Sequence, residues 1–129
     1  MIRDDSLSNY QSREVINIDE IRQHLSNQQF LKAQSLTLKG KPYYETRVTK
    51  MMMNVFYTII GIIRNQAKLS EKINKAEIRQ ALQHPLRIKD IIKFKDYKGI
   101  NLLFWTIGMM PASMSFATIR TIGKIKKLI

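Results

Sequence analysis

The chain has no cysteine among its 129 residues. Disulfide bonds and thiolate metal sites are therefore excluded, which fits a reducing compartment without proving one. Histidine is also scarce: His24 and His84 lie far apart, without acidic neighbours at ligand spacing, so no metal site is predicted. Met1 is followed by Asp4 and Asp5 rather than by a basic segment and an apolar core, so no signal peptide is expected.

Acidic side chains are few, with 10 Asp and Glu against 22 Lys and Arg and a net charge of +12. The imbalance is uneven, because residues 1–31 carry a net negative charge and no acidic residue follows Asp96. Such a gradient is typical of a surface that meets a polyanion, either nucleic acid or an anionic bilayer. A solvated basic face without a partner is the alternative.

Catalytic motifs are missing as well. The sequence has no glycine-rich phosphate loop, no His-Glu-x-x-His and no nucleophile elbow. Its length suits one ordinary domain with a modest core. Catalysis by this chain in isolation is therefore not expected.

Apolar spacing predicts a mainly α-helical protein. Ile18, Ile21 and Leu25 recur at helical intervals, but the phase then breaks, so residues 27–39 form either a second helix or irregular structure. Residues 42–65 are the clearest helix, because their apolar side chains fall within a stripe of roughly 140°. Two of the three consecutive methionines at 51–53 lie in that stripe, which favours core packing over an adaptable binding surface.

A further helix is predicted from Asn74, because Asn74 and Glu77 have the spacing of a capping box. This helix must end before Pro85. Residues 86–98 then alternate apolar and basic side chains. An amphipathic basic helix and a short half-exposed strand both fit this pattern, and the helix is preferred.

The last third is uncharged from 99 to 119, a length that could span a bilayer. Pro111 at its centre, together with several polar residues and glycines, favours two short helices, 100–110 and 111–127, at a membrane interface. Soluble packing against a missing domain and a true transmembrane segment are the alternatives. The predicted membrane-associating residues are two aromatics and four cations: Phe104, Trp105, Arg120, Lys124, Lys126 and Lys127.

The opening residues carry a family resemblance. Arg3-Asp4-Asp5-Ser6, followed by Leu7 and Ser8, resembles the Arg-x-x-Ser loop of family 2 glycosyltransferases with the GT-A fold. In that family the loop follows the last sheet elements of the catalytic domain and precedes C-terminal helices. The resemblance implies that this chain is the C-terminal helical part of a larger α/β enzyme of the bacterial polysaccharide-synthesis type, whose catalytic half would lie before Met1.

The same resemblance implies roles and partners. Arg3 and Ser6 would contact the donor diphosphate or order the loop that does; pairing of Arg3 with Asp4 or Asp5 is the alternative. No cofactor is expected in this chain, and Mg²⁺ or Mn²⁺ is implied for the intact enzyme. The implied partners are an upstream catalytic domain, an anionic membrane surface, a nucleotide-sugar donor and a lipid-linked or polysaccharide acceptor.

The chain is accordingly divided into a catalytic-loop remnant at 1–16, a helical region at 17–98 and an apolar-basic membrane-associating tail at 99–129. Its expected location is the cytoplasm, peripheral to the inner face of the cell membrane. Two other functions stay open: a small basic helical nucleic-acid-binding protein and a membrane-associated accessory protein. Nucleic acid is disfavoured because no helix-turn-helix spacing is convincing.

Overall fold

The computed structural model describes residues 15–127 and confirms the mainly α-helical fold. Arg3 and Ser6 lie outside the described residues. The helices within 15–127, in chain order, are α1 Ile18–Ser35, α2 Tyr44–Arg64, α3 Lys75–Leu82, α4 Ile88–Ile91, α5 Lys98–Met109 and α6 Ala112–Ile125. One-turn 3-10 helices, Leu36–Leu38 and Gln66–Lys68, follow α1 and α2.

Helix α1 is longer than its apolar spacing predicts. Its start is capped by Asn17, whose Oδ1 accepts a hydrogen bond from the Asp19 N–H at 2.9 Å. The buried stripe then continues past Leu25 at helical intervals, but with the polar side chains Gln28, Lys32 and Ser35. The apolar phase breaks while the helix does not, because polar residues occupy the inward positions of its second half.

Helix α2 is the central element, as the sequence predicts. It contacts α1, α3, α5 and α6, and Met51 and Met52 are both buried in it. The core that surrounds it draws on every one of these helices, with fully or nearly buried members such as Ile21, Ile59, Ile78, Phe104, Ile107 and Ile119. Helices α5 and α6 therefore contribute to the same core as the helices before them.

The capping box of α3 is confirmed. The Asn74 side chain accepts from the Ala76 N–H at 2.8 Å, and the Glu77 carboxylate accepts from the Asn74 N–H at 3.2 Å. Helix α3 ends at Leu82, before Pro85. Its eight residues are thus fixed at the start by local side-chain chemistry.

The segment 86–98 is neither a full amphipathic helix nor a strand. Only α4 is helical there, and turns follow it. The Glu45 carboxylate accepts the backbone N–H groups of Lys95 and Asp96 at 3.0 and 2.9 Å, which ties this turn to the start of α2. Tyr97 then takes a left-handed conformation, with φ of 63°, directly before α5. The helix that local spacing favoured over 86–98 is thus limited to the four residues of α4.

Helices α5 and α6 form a pair separated at Met110 and Pro111, as the proline predicts. The Ser115 hydroxyl donates to the Ile107 carbonyl at 2.7 Å, and the Arg79 guanidinium donates to the Met110 carbonyl. Within 15–127, no helix combines the length and the apolarity needed to cross a bilayer.

A backbone bridge joins Ile16, which precedes α1, to the segment that follows α2. The Ile16 N–H donates to the Lys68 carbonyl and the Ser70 N–H donates to the Ile16 carbonyl, both at 2.7 Å. These bonds form an isolated parallel bridge between Ile16 and Leu69, and Ile16 is fully buried.

Candidate functional site

The solvent-facing side of α5 carries exposed apolar side chains on either side of the exposed Thr106. Its buried residues are Asn101, Phe104, Ile107 and Gly108. The opposite side carries Leu103 and Met109, which remain 47% and 58% exposed, with Leu102 and Trp105 half-buried beside them. Leu103, Met109 and the α6 residue Met114, together with half-buried Trp105, are called the α5–α6 apolar surface below.

Helix α6 extends this surface towards a cationic end. Met114 and Ile125 are 54% and 75% exposed, and their separation of about three helical turns puts them on one face. Lys124 lies beside Ile125, and the cations of this end are all exposed: Arg120, Lys124, Lys126 and Lys127. Exposed apolar and basic side chains are thus both present on α6 and directly after it, with the exposed Thr121 between Met114 and Ile125 along the helix.

The sequence-predicted aromatic pair is divided between the core and the surface. Phe104 is only 4% exposed, and its ring centroid lies 5.9 Å from that of Phe56. We expected Phe104 at a headgroup interface, but the phase of α5 directs it inward. Leu103, Met109 and Met114 take the outward positions, and the sequence reasoning missed them. No local signal could have found them, because Asn101 and Gly108 mark the inward face only once their partners are known.

A buried polar network holds the inward side of α5. Asn101 is fully buried, and its Nδ2 donates to the Thr49 hydroxyl and to the Tyr97 carbonyl, both at 2.8 Å. Its Oδ1 lies 2.9 Å from Nε2 of His84, while Nδ1 of His84 accepts the Leu86 N–H at 3.0 Å. Burial lowers the pKa of His84, and the charge of Lys32 lowers it further, while the Asn101 contact opposes the shift.

Lys32 stabilises the C-terminal end of α3. Its ammonium donates to the carbonyls of Ala81 and Gln83 at 2.8 and 2.7 Å, and its residue surface is 4% exposed. Cations suit a helix C-terminus, where carbonyl groups are otherwise unpaired. Burial nevertheless lowers the pKa of Lys32 to about 8.

A cleft lies where the 3-10 helix after α1 meets the start of α2 and the α4 turn. Its volume is about 410 Å³, within the range of small-molecule pockets. The apolar part of its lining consists of Leu36, Tyr44, Leu86 and Phe94, and the charged part of Lys39, Glu45, Asp90 and Lys93. The Tyr44 and Phe94 rings meet edge to face, with centroids 6.1 Å apart.

Two ionisable side chains of the cleft, Glu45 and Tyr44, have defined surroundings. Glu45 is held by the backbone N–H groups of Lys95 and Asp96, as described above. Burial raises the pKa of the Tyr44 phenol, and the negative charge of Asp90 raises it further. Tyr44 therefore keeps its hydroxyl proton at neutral pH.

Among residues 15–127, no three or more His, Asp or Glu side chains cluster as metal ligands. The divalent cation implied for an intact glycosyltransferase therefore has no candidate ligand set within that range.

Comparisons with protein-family models, curated proteins and solved structures give no match to this chain. Its function is therefore argued from its own residues.

Proposed function

We propose that this chain is the C-terminal, membrane-associating helical part of a glycosyltransferase that transfers a sugar from a nucleotide-sugar donor to a polysaccharide or lipid-linked acceptor. The observation that carries the membrane role is the α5–α6 apolar surface, which ends in exposed cations. The glycosyltransferase role rests on the resemblance of Arg3-Asp4-Asp5-Ser6 to the family loop.

The occupant of the apolar surface is an anionic bilayer. Burying exposed Leu103, Met109 and Met114 among lipid chains is favourable at about 25 cal/mol per Å² of apolar area. Each cation near an anionic surface adds roughly 1 kcal/mol. Lys98 begins α5, and the next charged residue is Arg120, so no carboxylate opposes this approach from α5 or α6.

The glycosyltransferase resemblance implies a catalytic domain upstream of Met1. In the intact enzyme, the donor, the acceptor and a divalent cation would bind that domain, with Arg3 and Ser6 near the donor diphosphate.

Vesicle co-sedimentation tests the membrane role. We expect the purified chain to sediment with phosphatidylglycerol vesicles and to stay in solution with phosphatidylcholine vesicles. Deleting residues 99–129 is unsuitable as a test, because it would remove Phe104, Ile107 and Ile119 from the core. The double variant Leu103→Glu/Met109→Glu instead changes only exposed side chains and should lose binding.

The matched control is Phe30→Glu/Leu31→Glu on α1. Phe30 and Leu31 are 63% and 45% exposed, so this variant introduces the same charge at comparably exposed positions elsewhere. It should retain vesicle binding. An equal loss of vesicle binding in both double variants would show that binding depends on net charge alone. It would contradict the role proposed for the α5–α6 apolar surface.

The enzymatic half has a separate test in the nucleotide sequence upstream of Met1. In-frame translation should give strands, an Asp-x-Asp and a later Glu-Asp or Asp-Asp pair. A stop codon directly before Met1, with no such open reading frame nearby, would contradict the glycosyltransferase assignment.

Duplex DNA added in place of vesicles tests the alternative nucleic-acid role. Binding that weakens steeply with added salt, and that the Leu103→Glu/Met109→Glu variant retains, would favour that role over the membrane.

A further inference from the structure

We infer that the cleft between the start of α2 and α4 binds a phosphorylated carbohydrate, with the phosphate at Lys39 and Lys93 and the sugar at Tyr44 and Asp90. This site goes beyond the membrane role and does not depend on it. It is formed wholly by described residues, away from the α5–α6 apolar surface.

The apolar wall suits one face of a sugar ring. Aromatic rings offer broad apolar surfaces with a polar handle on tyrosine, and the C–H face of a pyranose is of similar extent. Tyr44 is half-buried, and its ring is held edge to face by Phe94, which is only 5% exposed, at an interplanar angle of 69°. A wall already held in place loses little conformational entropy when a ligand binds.

The charges of the cleft are mixed, which narrows the ligand class. Lys39 and Lys93 are exposed ammonium groups suited to a phosphate. The negative charge of Glu45 is offset by the two backbone N–H groups that it accepts. Asp90 is the other carboxylate of the lining, and an ionised carboxylate can only accept hydrogen bonds.

This combination disfavours a simple anion. Asp90 would repel a bare phosphate, whereas it would accept hydrogen bonds from the hydroxyls of a sugar joined to that phosphate. The Tyr44 hydroxyl, which stays protonated, adds a donor to the same cleft. A ligand that carries both a phosphate and several hydroxyls offers partners to Lys39, Lys93, Asp90 and the Tyr44 hydroxyl.

Amide NMR titration of the full chain tests the site with three probes: glucose 1-phosphate, methyl glucoside and inorganic phosphate. Glucose 1-phosphate should shift amides of the cleft, including Glu45 and Phe94, and bind about tenfold more tightly than either other probe. Inorganic phosphate that binds as tightly as glucose 1-phosphate would overturn the carbohydrate assignment. Absence of shifts around the cleft would overturn the site itself.

Two lysines of the α4 region provide a matched pair. Lys93→Gln should weaken glucose 1-phosphate binding about tenfold, the loss expected for one charge-assisted hydrogen bond. Lys89→Gln removes the same charge from an exposed neighbour outside the cleft lining and should change the affinity less than about twofold. Equal weakening would show that the chain attracts anions only through its overall charge.

Asp90→Asn separates the two parts of the ligand. It should weaken glucose 1-phosphate binding and strengthen inorganic phosphate binding, because the carboxylate serves the sugar and opposes the phosphate. Weakening of both, or of neither, contradicts the assigned role of Asp90.

The same phosphorylated, hydroxyl-rich group occurs both in free sugar phosphates and in lipid headgroups. Dihexanoyl phosphatidylinositol presents this chemistry with short acyl chains, so tighter binding of that probe identifies a lipid source and tighter binding of glucose 1-phosphate a free one. The Leu103→Glu/Met109→Glu variant should bind glucose 1-phosphate normally. Failure of the cleft and failure of the membrane surface are thus distinguishable.

Discussion

Nε2 of His84 lies 2.9 Å from Oδ1 of the buried Asn101. Because Nδ1 of the same ring accepts the Leu86 N–H, the neutral ring carries its proton on Nε2 and donates it to Asn101. Both amide protons of Asn101 are used in turn by Thr49 and Tyr97. The histidine thus connects the loop after α3 to α5, and this arrangement requires the uncharged imidazole.

Mild acid should therefore destabilise the protein through His84. Its pKa in the folded chain is lowered by burial, so the unfolded chain binds the proton first as pH falls below 6.5. The free energy of unfolding should decrease from pH 7 to 5.5, by up to 1.36 kcal/mol per pH unit for each such histidine. Urea unfolding at several pH values measures this.

The variant His84→Gln isolates the contribution of this ring. It should show a shallower decrease over the same range, with a remainder from His24, whose pKa is also lowered by burial. An unchanged slope in His84→Gln would mean that the ring does not titrate as the network requires.

Gly108 should not tolerate a side chain. A Cβ built at this position would lie 2.9 Å from the Leu82 carbonyl oxygen and 3.0 Å from the Gln83 Cα, both backbone atoms. Gly108→Ala should therefore force α5 away from the end of α3 and lower stability by about 1–3 kcal/mol. Thermal or urea unfolding provides the measurement.

Gly99→Ala is the control for this effect, since nothing lies within 4 Å of a Cβ there. Alanine favours the helix over glycine, so this variant should gain about 0.5–1 kcal/mol. Opposite signs for the two glycines are expected, and similar values would contradict the close contact at Gly108.

The protein should become more stable as the pH rises into mild alkali, because Lys32 loses its proton there. Its pKa falls from 10.5 in the ordinary side chain to about 8 in the folded protein, so above pH 8 the unfolded chain holds the proton that the folded chain has released. Stability should rise between pH 8 and 9.5, by at most about 2 kcal/mol. The neutral amine still has two N–H groups for the Ala81 and Gln83 carbonyls.

Lys32→Met removes the titrating group while keeping a long side chain. The alkaline rise in unfolding free energy should disappear in this variant, whatever its stability at neutral pH. A rise of equal size in Lys32→Met would assign the effect to another group.

Local patterns predicted the parts of the fold that local chemistry controls. The stripe of α2, the capping box at Asn74 and the break at Pro111 needed only residues within a few turns of each other. The second half of α1 could not be predicted in this way, because Gln28 and Lys32 are buried against partners from distant elements. Gln28 donates to the Thr58 hydroxyl at 2.9 Å, and Lys32 donates to carbonyls at the C-terminal end of α3.

The candidate sites divide in the same manner. The cationic end of α6 was evident from composition alone, whereas the cleft combines Lys39, Asp90 and Lys93 from segments far apart in the chain. Composition alone could not place Phe104, because an aromatic residue in an uncharged segment suits both a core and a bilayer surface. The helices packed against α5 decide between the two.

The sequence by itself determined the helical class, the excess of positive charge and the division of the last third into two short helices. These follow from side-chain periodicity, from residue counts and from a proline that cannot continue a helix. Only the tertiary structure decided which side of α5 faces outward and which charges share the cleft. Both depend on contacts between residues distant in the chain, such as Asn101 with Thr49 and Glu45 with Lys95, and no local pattern records them.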